Sequence, residues 1–236
     1  MDYAALIQTS APFLQYVLAW EAGLPSLALT SVVRDPARTA VVSVDVINGF
    51  CHAGPLASPR VRAIIPPIVR LFERAHAAGV RHLILTQDTH DPEAVEFGQY
   101  PPHCVRGTAE SETVPELRAL PFFDAVQVFP KNSISSTIGT GFSAWLKAHP
   151  EVDTFIAVGD CTDLCTYQLA MSLRLRANAH QQIQRVIVPA ECVDTYDLPV
   201  DTARQIGAVP HAGDLLHLIF LYSLHLNGVE VVRAIH

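Results

Sequence analysis

Short apolar runs rich in β-branched residues alternate with amphipathic stretches along most of this chain, and this alternation limits the possible folds more than any other feature. The runs predict strands at 39–45, 82–86, 125–129, 154–158, 186–189 and 228–232. The amphipathic stretches predict helices at 60–78, 141–149, 163–177, 201–206 and 215–226. Strands that alternate with helices build parallel sheets covered by helices on both faces. The sequence therefore predicts an α/β fold, a single Rossmann-like α/β/α domain of three layers with a doubly wound, mostly parallel sheet of about six strands.

The N-terminal region does not fit this alternation. Residues 4–21 predict one moderately amphipathic helix or two short ones, and Pro12 near the middle argues for a break or a restart there. Such a segment has two obvious uses, to pack on the domain or to pack against another subunit.

Size and charge exclude several classes of protein. With 236 residues, of which 50% are hydrophobic and 17% charged, the chain can bury one substantial core. The formal net charge of −7 argues against nucleic acid and anionic membranes as partners. No apolar run approaches 18 residues, and the start Met1-Asp2-Tyr3 lacks the basic region of a signal peptide, so we expect neither a membrane span nor a leader.

The five cysteines point to a reducing compartment. They lie at 51, 104, 161, 165 and 192, an odd number without the density of a disulfide scaffold. The spacing between Cys161 and Cys165 matches neither a CxxC redox pair nor a zinc ribbon. We therefore expect reduced thiols in a cytoplasmic protein.

The segment Gly159-Asp160-Cys161-Thr162-Asp163-Leu164-Cys165-Thr166 joins a buried strand to a helix. Thr162 or Asp163 is expected to cap that helix, because a short oxygen side chain can accept a hydrogen bond from a free backbone N–H. Cys165 then falls in the first helical turn, where free N–H groups and the helix dipole favour a thiolate. The alternative is that Cys165 is only a small buried hydrophobic residue.

Other polar residues fall where predicted strands end. Asp45 ends the run 39–45 and Lys131 follows the run 125–129. Each has an ordinary explanation, since a strand-end aspartate often belongs to a turn and a lysine after a strand is usually solvated. However, the carboxyl ends of parallel strands meet at one edge of the sheet, where ligands bind. A carboxylate that accepts the proton of a thiol, beside a lysine that offsets negative charge, indicates acyl transfer through a thioester.

A second group of polar residues has the composition of a metal site. Asp88 and His90 are two residues apart in an extended segment, so both side chains point the same way. Glu96 and His103 follow in a proline-rich irregular segment, 91–124, and Pro101-Pro102 stiffens the approach to His103. Imidazole and carboxylate ligands suit Zn²⁺, Fe²⁺ or Mn²⁺. Most Asp-x-His triplets, however, bind no metal.

Together these motifs resemble the isochorismatase-like cysteine hydrolases, and within them most closely the nicotinamidases. The motifs that carry the resemblance are Asp45-Val46-Ile47-Asn48-Gly49-Phe50, Asp88-Thr89-His90, Tyr100-Pro101-Pro102-His103-Cys104-Val105-Arg106-Gly107-Thr108, Lys131 and Gly159 to Cys165. Their order and spacing match from about residue 38, which implies an N-terminal helical extension over 1–37 and an isochorismatase-like domain over 38–236. Asp160 departs from the pattern, because this position is usually apolar in the family.

The resemblance implies a role for each site residue. Cys165 would be the nucleophile, Asp45 the general base and Lys131 their electrostatic partner. The backbone N–H groups of Cys161 and Cys165 would form the oxyanion hole, with a cis peptide between Asp160 and Cys161. One divalent metal ion (Zn, Fe or Mn) would be bound by Asp88, His90, His103 and, as an additional ligand, Glu96. The side chains expected to wall the substrate ring are Phe50, Tyr100 and Leu164.

The implied reaction is metal-assisted hydrolysis of an amide C–N bond, from nicotinamide and water to nicotinate and ammonia through a thioester. Two alternatives remain at this point. The same site could act on another small amide, a carbamoyl compound or isochorismate, although isochorismate cleavage needs no metal. The second alternative is a member of the family that binds a ligand without catalysis. In each case the expected partner is a small molecule, with no nucleic acid or membrane, and family resemblance implies a homo-oligomer.

Overall fold

A computed structural model describes residues 2–236. The strands are β1 (Ser26–Leu27), β2 (Thr39–Val44), β3 (His82–Asp88), β4 (Gln127–Lys131), β5 (Thr154–Asp160), β6 (Arg185–Pro189), β7 (Val193–Asp194), β8 (Glu230–Val232) and β9 (Ala234–Ile235). The α-helices are α1 (Tyr3–Ala22), α2 (Leu29–Val32), α3 (Asn48–Cys51), α4 (Pro59–Ala63), α5 (Ile65–Ala77), α6 (Pro115–Arg118), α7 (Gly141–Ala148), α8 (Cys165–Ala179), α9 (Val200–Ile206) and α10 (Gly213–Leu226). Short 3₁₀ helices cover Pro36–Arg38, Val95–Gly98, Ala109–Ser111, Phe123–Ala125 and Ala190–Cys192.

The main sheet has seven strands in the order β4-β3-β2-β5-β6-β8, with the short β7 also paired to β5. Every pairing in it is parallel. The first connections run outward from β2 to β4, and β5 then returns to the other side of β2, so the sheet is doubly wound. The predicted fold class is confirmed. The short strand β7 is the one strand of this sheet that the sequence pattern did not reveal.

Alternate residues of the strands enter two separate cores, which makes the three layers. Val41 of β2 packs in the core that contains α5, whereas Val42 packs in the core that contains α7, α8 and α10. Strands buried on both faces read as continuous apolar runs, and for this reason the central strands were recognisable in the sequence. The two cores hold the strand ends rigidly at one edge of the sheet.

The N-terminal helix α1 is continuous from Tyr3 to Ala22, so the expected break at Pro12 is wrong. Pro12 removes one backbone donor, but Asp2 caps the helix, and Phe13, Tyr16 and Trp20 each pack edge to face on Tyr222 of α10. Beyond α1, β1 pairs in parallel with β9. Among residues 2–236 no helix combines the length and the apolar character needed to cross a lipid bilayer.

The helix expected over 60–78 is divided into α4 and α5, which meet at Ile64. Pro66 and Pro67 supply no backbone N–H, which suits the first turn of a new helix rather than the middle of a long one. The apolar stripe of α5 still faces the core, as its spacing indicated.

Candidate active site

The nucleophile candidate, Cys165, is the first residue of α8 and follows the turn that leaves β5. The peptide bond between Asp160 and Cys161 is cis, as the resemblance implied. Gly159 has φ +115°, and a Cβ built on it would lie 2.0 Å from the carbonyl oxygen of Val44. Only glycine allows β5 to approach β2 so closely in this conformation. The turn is therefore held by the two central strands.

Neither Thr162 nor Asp163 caps α8, so this expectation is wrong. The cap position is Leu164, without a side-chain hydrogen bond. The Thr162 hydroxyl pairs with Nδ1 of His217 at 2.8 Å. The Asp163 carboxylate accepts a hydrogen bond from the Thr195 hydroxyl at 2.6 Å and pairs with Nε2 of His211 at 2.8 Å. Both oxygen side chains thus tie the turn to the segment after β7 and to α10, because tertiary partners outcompete the local cap.

Lys131 is the centre of the charged cluster. Its buried Nζ lies 2.7 Å from Oδ2 of Asp45, 2.6 Å from Oδ1 of Asp88 and 3.7 Å from Sγ of Cys165. Asp88 and Lys131 are register partners in β3 and β4, and Asp45 follows β2, whose neighbour is β3. The backbone N–H of Asp88 also donates to Oδ1 of Asp45 at 2.7 Å. The structure therefore brings together the three residues expected to form the triad.

The cluster places a thiol and a carboxylate, both with raised pKa, around one lysine. Burial and the Asp88 carboxylate raise the pKa of Asp45 to about 6, although Lys131 opposes this rise. Burial also raises the pKa of the Cys165 thiol well above its usual range, aided by Asp45 and Asp88 and opposed by Lys131. Burial thus opposes the thiolate that the helix start favours. A thiol with a raised pKa needs a base to ionise, and Asp45, whose pKa is raised to about 6, lies within 4.8 Å of it.

Two backbone donors stand beside the thiol. The N–H groups of Cys161 and Cys165 make no backbone hydrogen bond within residues 2–236. The Cys161 carbonyl, in contrast, accepts from the N–H groups of Leu164 and Thr166, both at 3.1 Å. An unpaired N–H is free to donate to a negative oxygen that develops next to the nucleophile.

Asp88, His90 and His103 are brought together as one buried group, whose ligand atoms lie within 4.8 Å of one another. Nδ1 of His103 faces the Pro101 carbonyl at 2.8 Å, and Nδ1 of His90 faces Oδ1 of Asn132 at 3.2 Å. Each Nδ1 is thus engaged by an acceptor, which leaves Nε2 with its lone pair. Among residues 2–236, no group hydrogen-bonds the buried Nε2 of His90, which lies 3.4 Å from Oδ1 of Asp88. An orphaned imidazole nitrogen beside a carboxylate fits a metal ligand.

A cavity of about 40 Å³ adjoins the thiol. It is lined by Cys161, Cys165, Asp88 and His103, and the three side chains expected to wall a substrate ring, Phe50, Tyr100 and Leu164, line it as well. Glu96 also lines the cavity but does not belong to the compact group of Asp88, His90 and His103. Asp45 and Lys131 lie behind the thiol, outside the lining.

Other lining residues were missed by sequence reasoning. They are Leu56, Val61, Ile134 and Tyr196, whereas Asp160, which the sequence marked as a departure from the family pattern, lines the cavity as well. Tyr196 follows β7, and a search for polar or aromatic residues after every strand would have found it if that two-residue strand had been recognised. Asn132, which orients His90, directly follows Lys131 and gave no signal of its own. His211 stacks on Tyr196 with ring centroids 3.8 Å apart.

Comparison with known proteins agrees with this geometry. The isochorismatase domain model matches residues 39–207. The chain is similar to nicotinamidase 1 of Arabidopsis thaliana, with 30% identity over 220 residues that cover 86% of this chain and 89% of the relative.

The chain belongs to the isochorismatase family.

Solved structures share the fold. N-carbamoylsarcosine amidase from Thermoplasma acidophilum has a TM-score of 0.62 at 24% identity, covering 83% of this chain and 96% of its own. The pyrazinamidase of Pyrococcus horikoshii, in complex with zinc, has a TM-score of 0.61 at 21% identity, and the match covers 83% of this chain and 99% of the pyrazinamidase chain. The predictions of family and of a hydrolase that acts on amide C–N bonds are confirmed. This isochorismatase-family protein is an amidohydrolase.

Proposed function

We propose that the enzyme is a cysteine-dependent nicotinamidase, which converts nicotinamide and water to nicotinate and ammonia through a thioester. The observation that carries the proposal is the position of Nζ of Lys131, in contact with Asp45 and Asp88 and 3.7 Å from Sγ of Cys165, behind a cavity with aromatic walls. The relative in Arabidopsis thaliana named nicotinamidase 1 supports the choice of substrate.

In the acylation step, Asp45 accepts the proton of the Cys165 thiol while Sγ attacks the carboxamide carbon. The raised pKa of Asp45 makes it a better base than an ordinary aspartate. The carbonyl oxygen becomes an oxyanion, to which the N–H groups of Cys161 and Cys165 donate. When the C–N bond breaks, Asp45 returns the proton to the leaving nitrogen, and ammonia departs. Lys131 keeps the charge of the buried carboxylates balanced throughout.

In the deacylation step, a water molecule takes the place of ammonia beside Asp45. Asp45 removes one proton from this water as its oxygen attacks the thioester carbon, and the same N–H groups bind the second oxyanion. The C–S bond then breaks, Sγ recovers the proton from Asp45, and nicotinic acid leaves and gives its carboxyl proton to the released ammonia, which yields nicotinate. One water is consumed and the enzyme returns to its starting state.

We propose that Asp88, His90 and His103 hold one divalent cation, with Glu96 as an additional ligand. The donor set of two imidazoles and a carboxylate suits zinc, iron or manganese. The unpartnered Nε2 of His90 supports the assignment, and the related pyrazinamidase of Pyrococcus horikoshii was solved in complex with zinc. When bound, the cation supplies a Lewis-acidic contact for the pyridine nitrogen. Phe50, Tyr100 and Leu164 then orient the ring so that the carboxamide faces Cys165.

The test is an ammonia-release screen over small amides, with and without a chelator. The panel contains nicotinamide, N-carbamoyl amino acids and simple aliphatic amides. We expect nicotinamide to be among the best substrates, with turnover lost after chelation and restored by added zinc, iron or manganese. Ammonia release from a carbamoyl compound but not from nicotinamide would contradict the substrate. Full turnover of metal-free protein would contradict the metal.

We propose further that the enzyme works as a homo-oligomer in the cytoplasm. Side chains left exposed on α1, including Tyr3, Ile7 and Tyr16, support a contact between subunits. All five cysteines are unpaired and buried, which suits a reducing compartment. Sedimentation of the purified protein tests the first proposal, because a monomer at all concentrations would contradict it. Localisation of the tagged full-length chain tests the second.

A further inference from the structure

Asp160 is a carboxyl group in the cavity wall that the mechanism does not use. It is the last residue of β5, 1% exposed, and it lines the cavity that opens onto Cys165. Its Oδ2 faces Sγ of Cys161 at 3.6 Å, a weak contact, and its Oδ1 is buried with no hydrogen-bond partner. Buried polar atoms in proteins are nearly always paired, so an orphaned one beside a cavity requires an explanation.

The charge state of Asp160 follows from its surroundings. Burial and the nearby Asp45 carboxylate raise the pKa of Asp160 well above its usual range. The raised pKa favours the protonated acid, which offers one O–H donor and a carbonyl acceptor. A neutral acid does not repel the electrons of the reacting thiol as a carboxylate would, which explains how the site tolerates it.

Among residues 2–236, no group supplies a hydrogen bond to Oδ1 of Asp160. The cavity lining includes the apolar or aromatic side chains of Phe50, Leu56, Val61, Ile134 and Leu164, and none of its polar groups hydrogen-bonds Oδ1 of Asp160. An apolar residue would fill the same position without leaving a polar atom unpaired. A molecule that enters the cavity is the remaining source of a hydrogen bond.

We infer that Asp160 is a specificity-determining residue that hydrogen-bonds a second polar group on the substrate. The substrate class is then a small cyclic carboxamide that carries a hydroxyl, an amino group or a further ring nitrogen, besides the atom that faces Asp88, His90 and His103. This inference rests on the proposed amide hydrolysis at Cys165 and narrows its substrate.

The test compares substrates in pairs. Values of kcat/KM are measured for nicotinamide, for nicotinamides with a single hydroxyl or amino substituent at each free ring position, and for pyrazinecarboxamide. The kcat/KM of each compound, divided by that of nicotinamide, is determined for the wild-type enzyme, Asp160→Leu and Asp160→Asn. Asp153→Asn is the matched control, since Asp153 precedes the same strand at its far end and pairs with Arg38. Thermal unfolding checks that each variant is folded.

For the wild type we expect at least one substituted compound to exceed nicotinamide. Asp160→Leu should lower that ratio about 10- to 100-fold, because the polar group of the substrate is then buried without a partner. Asp160→Asn, which both donates and accepts, should keep the ratio within about threefold of wild type, and Asp153→Asn should leave it unchanged. If Asp160→Leu does not fold, Asp160→Ser takes its place.

Two results overturn the inference. One is that the kcat/KM ratios of the substituted compounds to nicotinamide are the same in Asp160→Leu, or in Asp160→Ser, as in the wild type. The other is a wild-type enzyme that prefers nicotinamide to every substituted compound. Failure of the proposed function gives a different result, since nicotinamide itself is then not hydrolysed. If substituted amides are still hydrolysed in an Asp160-dependent manner, nicotinamide is the wrong substrate but the role of Asp160 stands.

Discussion

At the scale of single residues, Lys131 is the buried cation that pairs with the carboxylates of both Asp45 and Asp88. Burial alone would lower the pKa of Lys131, yet the carboxylates of Asp45 and Asp88 raise it well above its usual range, so the ammonium is charged in the folded protein. Its charge in turn helps to hold the pKa of Asp88 below its usual range, against the effect of burial. One cation thus allows two buried carboxylates to stand side by side next to the thiol.

Replacement of this cation should damage both stability and activity. In Lys131→Met two like charges lose their common partner in a buried site, and breaking such a cluster costs about 3–5 kcal/mol. We expect a loss of this size in the free energy of unfolding, measured with urea, and a fall in kcat of at least about 100-fold. Lys147→Met is the control, because Lys147 is the only other lysine of the chain and lies on the surface. Equal stability of the two variants would contradict the proposed role of the cluster.

The sequence predicted which residues come together at the site better than it predicted their hydrogen-bond partners and their burial. Asp45, Lys131 and Cys165 were identifiable because each lies where a predicted strand ends or a helix begins, and parallel strands bring such positions to one edge. Thr162 and Asp163 were wrongly predicted to cap α8. Their side chains instead form hydrogen bonds with residues far away in the sequence, namely His217, Thr195 and His211. The burial that raises the pKa of the Cys165 thiol was not visible in the sequence for the same reason, since burial is a property of the assembled fold.

At the scale of elements, the close approach of β2 and β5 fixes the nucleophile turn. Val44 and Gly159 are register partners, and a Cβ on Gly159 would lie 2.0 Å from the carbonyl oxygen and 2.7 Å from the backbone nitrogen of Val44. Backbone atoms in a central strand cannot move aside, in contrast to the end of a flexible side chain.

We therefore expect Gly159→Ala to prevent folding or to cost more than about 4 kcal/mol, which is exceptional for a single substitution. The matched control is Gly139→Ala. Gly139 also has a positive φ, +68°, but its Cβ would meet nothing within 4 Å. The control should lose only about 1–2 kcal/mol from backbone strain. Urea unfolding of both variants measures the difference, and similar losses would show that steric contact with β2 is not the reason for glycine at 159.

The segment after β7 is the element that the sequence described least well. His211 joins it to the nucleophile turn, because Nε2 pairs with Asp163 and Nδ1 faces the Tyr196 carbonyl, both at 2.8 Å. The imidazole also stacks on the Tyr196 ring, which lines the cavity. No local pattern reveals this link, since its members are far apart along the chain.

His211→Leu should loosen this wall of the cavity. The Asp163 carboxylate loses a partner, at a cost of about 1–3 kcal/mol in the free energy of unfolding. We also expect KM to rise more than kcat falls, because Tyr196 shapes the cavity but takes no part in proton transfer. Steady-state kinetics and urea unfolding are compared with His180→Leu, a substitution at an exposed histidine just after α8. A KM equal to that of the control would show that the link does not shape the cavity.

At the scale of the whole molecule, the two ends of the chain are joined. β1 pairs with β9, and the Leu29 N–H donates to the carbonyl of His236 at 2.7 Å. Val32 and Val33 belong to the same core as α5. The division of the chain at residue 38 stays a prediction. A chain shortened to begin there would lose the pairing of β1 with β9 and the core contacts of Val32 and Val33.

Two truncations test that division. A chain of residues 24–236 keeps β1 and both valines, whereas a chain of residues 38–236 loses them. Burial of one such side chain contributes about 1.5–3 kcal/mol, so we expect the shorter chain to be less stable than the longer one by at least about 3 kcal/mol. Urea unfolding at equal protein concentration measures this. Equal stability would show that residues 24–37 are dispensable for the domain.

The architecture of the whole molecule was predictable because its central strands are buried on both faces and its helices carry regular apolar stripes. The elements that the sequence missed or misjudged, such as β7 and the undivided α1, are short or depend on packing against distant residues. Tyr222 on α10, for example, receives three aromatic rings from α1. The fold and the triad thus follow from local patterns, whereas the outer wall of the cavity follows from tertiary contacts.

The central claim is that Cys165 forms a thioester with nicotinamide, and the most direct measurement is the release of ammonia and nicotinate by Cys165→Ala. The matched control is Cys192→Ala, the same substitution at a buried cysteine outside the cavity. We expect Cys165→Ala to lower kcat by at least about 10⁴-fold, as loss of a nucleophile does in other hydrolases, while Cys192→Ala retains most of the activity. Undiminished turnover of nicotinamide by folded Cys165→Ala would contradict the account.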